Sequence, residues 1–232
     1  MQQLLTIIVY TSLAGFALPV GGALASIERL RPDWLEQEFR HGVLAFGGGV
    51  LLAAVALVLV PHGMRELDAA AAAFSFIVGG LIFFAIDRAL TRAGRPASNL
   101  IAALLDFIPE AIALGALLST QASLGMLLAM FIGLQNLPEG FNAYRELVAS
   151  SQTTKKQALT LLTASALLGP LCGLLGFWVL SDAPSATAVT MLFAAGGILY
   201  LIFQDIANQV ANLRFIVNNQ NVTCCHRCYF RC

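Results

Sequence analysis

The chain is poor in charged residues. Only 11% of its 232 residues are Asp, Glu, Lys or Arg, whereas 58% are hydrophobic and the mean hydropathy is +0.79. Soluble domains carry about 25% charged residues, so this composition excludes an ordinary soluble domain. Apolar runs that are long enough to cross a membrane and contain at most two charged residues lie near residues 4–27, 42–61, 69–86, 98–119, 122–143, 157–180 and 186–207. The sequence therefore predicts an all-α integral membrane protein with seven transmembrane helices.

Other absences narrow the class further. No Lys or Arg precedes the first apolar run, which is too long for a signal-peptide core, so we interpret it as a retained span. The chain has no Gly-x-x-x-x-Gly-Lys-Ser/Thr loop, which argues against ATP hydrolysis. It also lacks the His-Glu-x-x-His zinc motif and the Gly-x-Ser-x-Gly nucleophile turn, which argues against two common hydrolase mechanisms.

Basic residues are distributed unevenly between the predicted connections. Those after the second, fourth and sixth spans carry only Arg65. Those after the first, third and fifth spans carry Arg29, Arg31, Arg40, Arg88, Arg92, Arg95, Arg145, Lys155 and Lys156. Because basic connections stay in the cytoplasm, this asymmetry predicts a multi-pass protein of the plasma (inner) membrane with its amino terminus outside.

Two segments inside the fourth and fifth spans are alike. They read Asp106-Phe107-Ile108-Pro109-Glu110 and Gln135-Asn136-Leu137-Pro138-Glu139. Each places polar side chains at i and i+4, on one side of a helix. The proline between them cannot donate a backbone hydrogen bond, so it interrupts the hydrogen bonding of the helix there. A carboxylate near the bilayer centre costs roughly 2.5 to 3.5 kcal/mol, so these acids need a partner, a water-filled cavity or protons. We interpret the two segments as a cation site, with a divalent metal as the simplest partner.

The depth of the two segments can be compared by counting residues. A short connection joins their spans, which predicts antiparallel neighbouring helices. Asp106 and Asn136 are equally far from Gln121 along the chain, and Glu110 and Glu139 lie on either side of that level. At about 1.5 Å per residue the set covers roughly 10 Å along the helices. Side chains from both helices are therefore expected to reach one ion.

These paired segments resemble the motifs of the ZIP family of divalent-metal transporters. Two adjacent helices of that family read roughly His-Asn-x-Pro-Glu/Asp-Gly/Ala and His/Gln-Asp/Asn-x-Pro-Glu-Gly. Residues 135–140 match the second pattern closely, and residues 106–111 match the first in its Pro-Glu-Ala half. The resemblance covers residues 1–210. It implies an eight-helix fold built as three plus two plus three helices with inverted repeats.

The resemblance also implies a function and a set of ligands. The protein would be a permease that moves Zn²⁺, Fe²⁺ or Mn²⁺ toward the cytoplasm by an elevator-like movement of the motif helices. It would not be an enzyme and would need no cofactor beyond the transported ion. By position, Asp106, Glu110, Gln135 and Glu139 would form the primary metal site, and Asn136 would contribute to a second, neighbouring site.

The first motif departs from the family pattern. Asp106 stands where the family usually has His, and Phe107, which cannot ligate a metal, stands in place of Asn. An all-oxygen set suits Mn²⁺, Fe²⁺ or Mg²⁺ better than Zn²⁺, although carboxylates also ligate zinc. The sixth span reads Leu167-Leu168-Gly169-Pro170 where many members carry an acid. We therefore expect one metal site to be kept and the second to be lost.

The carboxyl end has no eighth apolar run. We place the transport domain at residues 1–210 and a polar tail, outside the fold, at 211–232. The tail contains Cys224, Cys225, His226, Cys228 and Cys232. Two interpretations stay open: a metal-capturing segment kept reduced in the cytosol, or a replaced end that prevents the complete transporter from forming.

Polar residues near two span ends are further candidates. His62 and Glu66, at i and i+4 beside Pro61, are candidates for an ion entrance, with hydrated helix ends as the alternative. Gln204, Asp205 and Asn208 are candidates for the exit.

The buried acids also leave a second function open, an intramembrane hydrolase that uses them as catalysts or metal ligands. The glycine-rich segments 46–51 and 193–199 are alike as well, which fits either an inverted repeat or close helix packing. The expected partners are a divalent metal cation and the lipid bilayer. A homodimer is left open, and no nucleic acid is expected.

Overall fold

A computed structural model describes the backbone of residues 1–27, 33–93, 98–150 and 153–229. It describes their side chains except at 33–41, 93, 98, 205 and 208–229. All regular structure in this part of the chain is helical, so the all-α prediction is confirmed. The elements are α1 (Gln2–Ile27), α2 (Asp33–Ala54), a π-helical turn (Val55–Leu59), α3 (Val60–Glu66), α4 (Ala69–Ala93), α5 (Ser98–Thr120), α6 (Ala122–Ala149), α7 (Lys155–Ala166), α8 (Leu168–Leu180) and α9 (Pro184–Tyr229).

Six helical segments in the described ranges are long and apolar enough to cross a membrane. They are Gln2–Ile27, Gly42–Glu66, Ala69–Arg92, Asn99–Thr120, Lys155–Leu180 and Pro184–Gln204. Large apolar side chains on them, among them Phe74, Leu171 and Trp178, are exposed, as expected of a surface that faces lipid. The protein is an all-α integral membrane protein, as predicted.

The predicted fifth span is not among these six. It corresponds to α6, whose 28 residues would extend roughly 42 Å, enough to cross the bilayer. Gln135, Asn136 and Glu139 lie within its apolar stretch and lower its hydropathy. The expected count of seven apolar spans is therefore not met, because the residues that mark the site also make this helix polar. Helices α1, α2 and α5 pack around α6.

The helices form two groups. Helices α1, α5, α6, α7 and α8 pack on one another, and α3 and α4 pack against α9. Helix α2 packs against both α6 and α9, and the two groups also meet directly where α5 packs on α9. Buried apolar side chains of α1, α5, α6, α9 and the π-helical turn form one continuous core. The motif helices therefore belong to the first group and share an interior with the second.

Glycines bring helix backbones together within each group. A Cβ at Gly140 of α6 would clash with the carbonyl oxygen of Leu18 in α1. A Cβ at Gly21 of α1 would clash in the same way with the carbonyl of Leu137 in α6. Small residues permit such backbone contact between membrane helices, where van der Waals packing replaces the hydrophobic effect as the main attraction. Helices α1 and α6 are therefore closely packed beside the second motif.

Glycines also bring the backbones of α4 and α9 together in the second group. A Cβ at Gly79 would clash with the Phe193 carbonyl, and one at Gly196 with the Phe76 carbonyl. Gly48 and Gly49 of α2, by contrast, have nothing within 4 Å of an added Cβ. The likeness between segments 46–51 and 193–199 therefore does not extend to how they pack.

Two irregular points interrupt the predicted spans. The N–H of Val60 donates to the carbonyl of Val55, five residues earlier, and this gives the π-helical turn just before Pro61. Helix α7 ends at Ala166. The carbonyl of Ala166 would accept a hydrogen bond from the N–H of residue 170 in a continuous helix, but Pro170 has no N–H. Pro109 and Pro138, in contrast, lie within continuous α-helices.

Candidate metal site

The two motifs meet at one contact between α5 and α6. Gln135 Nε2 donates a 2.6 Å hydrogen bond to Glu110 Oε2. Both residues are fully buried, at 0% exposure. The connection between the helices is the single residue Gln121, so the chain reverses tightly and brings the two positions to one depth. The overlap in depth that residue counting predicted is present at this pair.

Three buried oxygens at this level have no hydrogen-bond partner. They are Glu110 Oε1, Gln135 Oε1 and Asn136 Oδ1. Buried polar atoms are nearly always paired, because an unpaired one loses its hydration without compensation. All three atoms are electron-pair donors suited to a cation, and carboxylate and amide oxygens are the ligands that hard divalent ions prefer. Glu110 Oε1 and Gln135 Oε1, which belong to the pair in contact, are therefore candidate ligands for a divalent cation.

The other two predicted ligands lie one helical turn away. Asp106 is buried, and its Oδ1 accepts a 2.9 Å hydrogen bond from the Phe107 N–H. Glu139 is half-buried, one turn after Gln135. Among the described residues, no three His, Cys, Asp or Glu side chains are grouped closely enough to hold a metal. The structure thus brings Glu110 and Gln135 together, and Asp106 and Glu139 extend the oxygen set along the two helices.

Asn136 makes its contact with a third helix. Its Nδ2 donates a 2.8 Å hydrogen bond to the carbonyl oxygen of Ala14 in α1, and the side chain is 0% exposed. This bond ties α6 to α1 just before the close packing at Gly140. The role of Asn136 in a second metal site stays a prediction, and its observed contact is to the protein backbone.

Phe107 occupies the space between α1 and α8. The ring is 1% exposed, and its Cζ would lie 3.1 Å from a Cβ added at either Gly15 or Gly169. Gly169 belongs to the Leu167-Leu168-Gly169-Pro170 stretch, so two departures from the family pattern are in contact. A phenyl ring here has no lone pair for a metal, which fits the expected loss of the second site.

The entrance and exit candidates are only partly described. His62 is buried at 6% exposure and its Nδ1 has no hydrogen-bond partner, whereas Glu66 is exposed. Gln204 is half-buried. The side chains of Asp205 and Asn208 lie outside the described residues. Sequence reasoning missed the acceptor of Asn136, because a backbone carbonyl on another helix leaves no signal in the side-chain pattern.

The sequence model of the ZIP zinc transporter family matches residues 94–218, more than half of the chain and all of both motif helices. The chain belongs to the ZIP family. The resemblance drawn from the paired motifs is therefore confirmed. No curated protein matches this ZIP protein. Family membership identifies it as a multi-pass membrane protein of metal-ion transport, and the contact between Glu110 and Gln135 lies inside the matched region.

Proposed function

We propose that this ZIP protein moves divalent transition-metal cations toward the cytoplasm through a site centred on Glu110 and Gln135. Family membership implies divalent metal cation transport. The observation that carries the site is the 2.6 Å bond between two fully buried side chains on α5 and α6. An amide and a carboxylate in contact inside a transport protein form a polar pair that a dehydrating cation can join.

The existing hydrogen bond leaves ligands available. It uses Nε2 of Gln135 and Oε2 of Glu110, while the Oε1 atoms of both residues have no hydrogen-bond partner. An ion can therefore be bound by one oxygen from each helix without breaking the bond between them. Glu110 supplies the negative charge and Gln135 a neutral oxygen. Such a set binds a divalent ion and can still release it, as conduction requires.

The oxygen ligands support a preference for harder ions. The pair contains no imidazole and no thiolate, and the two acids one turn away, Asp106 and Glu139, are carboxylates as well. Mn²⁺ and Fe²⁺ accept such ligands readily, and Zn²⁺ is the ion that gains most from nitrogen or sulfur. We therefore expect Mn²⁺ and Fe²⁺ to be transported in preference to Zn²⁺.

The packing supports movement of the site together with its helix group. Backbone contacts at Gly21 and Gly140 hold α6 to α1, and the Asn136 bond to Ala14 adds to them. Across the boundary, Gly47 of α2 meets the ring of Pro138, where an added Cβ would lie 2.9 Å from its Cγ. A side-chain contact of this kind slides more easily than interlocked backbones. The group of α1, α5, α6, α7 and α8 would thus carry the ion past α2, and α5 would slide along α9 as it moves.

The hydrolase alternative has less support. An aspartyl-type enzyme needs two carboxylates that share a proton. The hydrogen bond that joins Glu110 to α6 is made by an amide, Gln135, which cannot take that role. The carboxylate that such an enzyme would use is Asp106, one turn earlier on α5, and the metal-protection experiment below decides between the two functions.

Sealed vesicles that contain the purified full chain test the function. We expect saturable uptake of Mn²⁺ and Fe²⁺ above that of protein-free vesicles, with slower uptake of Zn²⁺. Uptake is measured with radioactive ions at equal protein content. If folded protein takes up none of the three ions, the transport proposal is wrong. If Zn²⁺ is clearly fastest, the transport proposal stands but the argument from oxygen ligands fails.

Protection of the Glu110 carboxyl group from chemical labelling by a bound metal ion would distinguish a transporter from a metal-independent hydrolase. Dicyclohexylcarbodiimide enters membranes and modifies buried carboxyl groups. We expect Mn²⁺ to slow its reaction with Glu110, because the bound ion occupies the carboxylate, as read by peptide mass spectrometry. Asp87, a half-buried acid in α4 outside the motif helices, is the control and should react at a rate that Mn²⁺ does not change. Equal labelling of Glu110 with and without Mn²⁺ would contradict the proposed site.

A further inference from the structure

An open cavity lies at the end of the molecule where α1 ends and α7 begins. Its volume is about 670 Å³, and its wall includes Ser26 of α1, Tyr144 of α6 and both Lys155 and Lys156 of α7. Among the lining residues that the structure describes, none is acidic. The charged side chains described in the wall are both cations, and they lie on the predicted membrane side where basic connections are concentrated.

Lys155 and Lys156 are the only lysines in the chain. All other basic side chains, apart from histidine, are arginines. The two lysines are exposed, and both line this one cavity. A lysine ammonium is a compact charge on a flexible stem that binds phosphate as a point charge.

Tyr144 offers a hydrogen-bond donor that the protein does not use. Its side chain is 3% exposed, lines the cavity, and has a hydroxyl group with no hydrogen-bond partner. A buried tyrosine hydroxyl normally has one, because burial removes it from water. The apolar part of Tyr144 packs with Leu100, Leu147, Ala158 and Leu162 in a separate core cluster, which fixes the ring in place. The hydroxyl is buried in the wall of the cavity, and a ligand phosphate that reached it would supply the missing partner.

The cavity continues from this polar end along an apolar wall. Leu159 of α7 and Leu167, just after α7, also line it, with Thr160 and Thr163 between them, so it follows the helix from Lys155 for roughly 18 Å. The amino-terminal amides of α7 are not what attracts a ligand, since a capping box joins Thr154 and Gln157. A ligand that fits this shape has an anionic head and an apolar chain.

We infer that this cavity binds an anionic phospholipid. Lys155 and Lys156 pair with the headgroup phosphate, the Tyr144 hydroxyl donates a hydrogen bond to it, and an acyl chain lies along Leu159 and Leu167. The charge asymmetry of the chain predicts that the cavity lies at the cytoplasmic leaflet of the membrane. Anionic lipids there attract each basic residue with a free energy of about 1 kcal/mol. The bound lipid would fix α7 against α1 and α6, within the group that carries the metal site.

Native mass spectrometry of the full chain in detergent tests this inference. We expect one phosphatidylglycerol to be retained at least about tenfold more than phosphatidylcholine, the fold-change that two such contacts give. Lys155→Gln/Lys156→Gln should remove this preference. Tyr144→Phe, which keeps both charges, should weaken retention several-fold. Arg88→Gln/Arg92→Gln, which removes two charges from the same predicted membrane side outside the cavity, should leave it unchanged.

Acetylation of the unmodified chain is a second readout that needs no variant. Because the chain has two lysines, an N-hydroxysuccinimide ester reports on this cavity and on the Met1 amine. Phosphatidylglycerol should protect the two lysines from acetylation more than phosphatidylcholine does. The Met1 amine should react at the same rate with either lipid and is the internal control. Equal protection by both lipids, or unchanged retention in Tyr144→Phe, would overturn the inference. Protection by inorganic phosphate without retention of phosphatidylglycerol would replace the lipid by a free anion and overturn it too.

Discussion

Replacing Glu110 by Gln is expected to lower the initial rate of Mn²⁺ uptake about 10- to 100-fold at subsaturating ion concentration. The substitution keeps the size and a hydrogen-bonding group but removes the charge between α5 and α6. A hydrogen bond or ligand contact that involves a charged group contributes roughly 1.5–3 kcal/mol, which corresponds to this range of affinities. The measurement is uptake of radioactive Mn²⁺ into sealed vesicles at equal amounts of folded protein.

The exchanged variant Glu110→Gln/Gln135→Glu is the matched control for this prediction. Because the two side chains are joined by a 2.6 Å bond, the exchange returns one carboxylate to the same contact on the opposite helix. We expect most of the lost uptake to return. If Glu110→Gln transports normally, the pair is not the site. If the single variant fails and the exchange does not restore uptake, the position of the charge matters as well as its presence.

The contact between the motif helices could be predicted from the sequence because it depends on simple geometry. Helices α5 and α6 are joined by Gln121 alone, and helical rise then fixes which positions lie side by side. Polar residues in apolar helices further limit which positions can be in contact, because buried polar side chains need hydrogen-bond partners. Counting matched Asp106 with Asn136 and gave a common depth for the two segments, but it did not select Glu110 and Gln135 as the pair in contact.

The contacts of the second motif with α1 could not be predicted in this way. The acceptor for Asn136 is the backbone carbonyl of Ala14, and every residue of α1 carries such a group. Only the position of α1 selects it, and that position follows from close packing at Gly21 and Gly140. Apolar spans show that a helix crosses the membrane but give little information about its neighbours.

The interruptions of the spans were missed for a different reason. Hydropathy is the same for an α-helix, a π-helical turn and a break, so it carries no signal for the turn at Val55–Leu59 or the end of α7 at Ala166. Pro61 and Pro170 are the residues that mark these points. A proline alone does not predict an interruption of a helix, because α5 continues through Pro109 and α6 continues through Pro138.

Gly140→Leu is expected to lower the stability of the protein strongly. A side chain there would meet the carbonyl of Leu18 in α1, and two backbones cannot move apart as a side chain can. Overpacking of this kind costs typically 1–3 kcal/mol, so the midpoint of thermal unfolding in detergent should fall by roughly 5–10 °C. Gly48→Leu, where nothing lies within 4 Å of an added Cβ, should change it by no more than about 2 °C.

An equal change in both variants would show that α6 does not pack on α1 as described. The expected difference would instead divide the second motif into two parts with separate physical roles. Gln135 meets the carboxylate of α5 and, in the proposed function, supplies an oxygen for the cation. Asn136 and Gly140 hold α6 against α1 through a hydrogen bond and a backbone contact. The glycine that closes the motif is then needed because only a residue without a side chain lets the ligand-bearing helix reach this position.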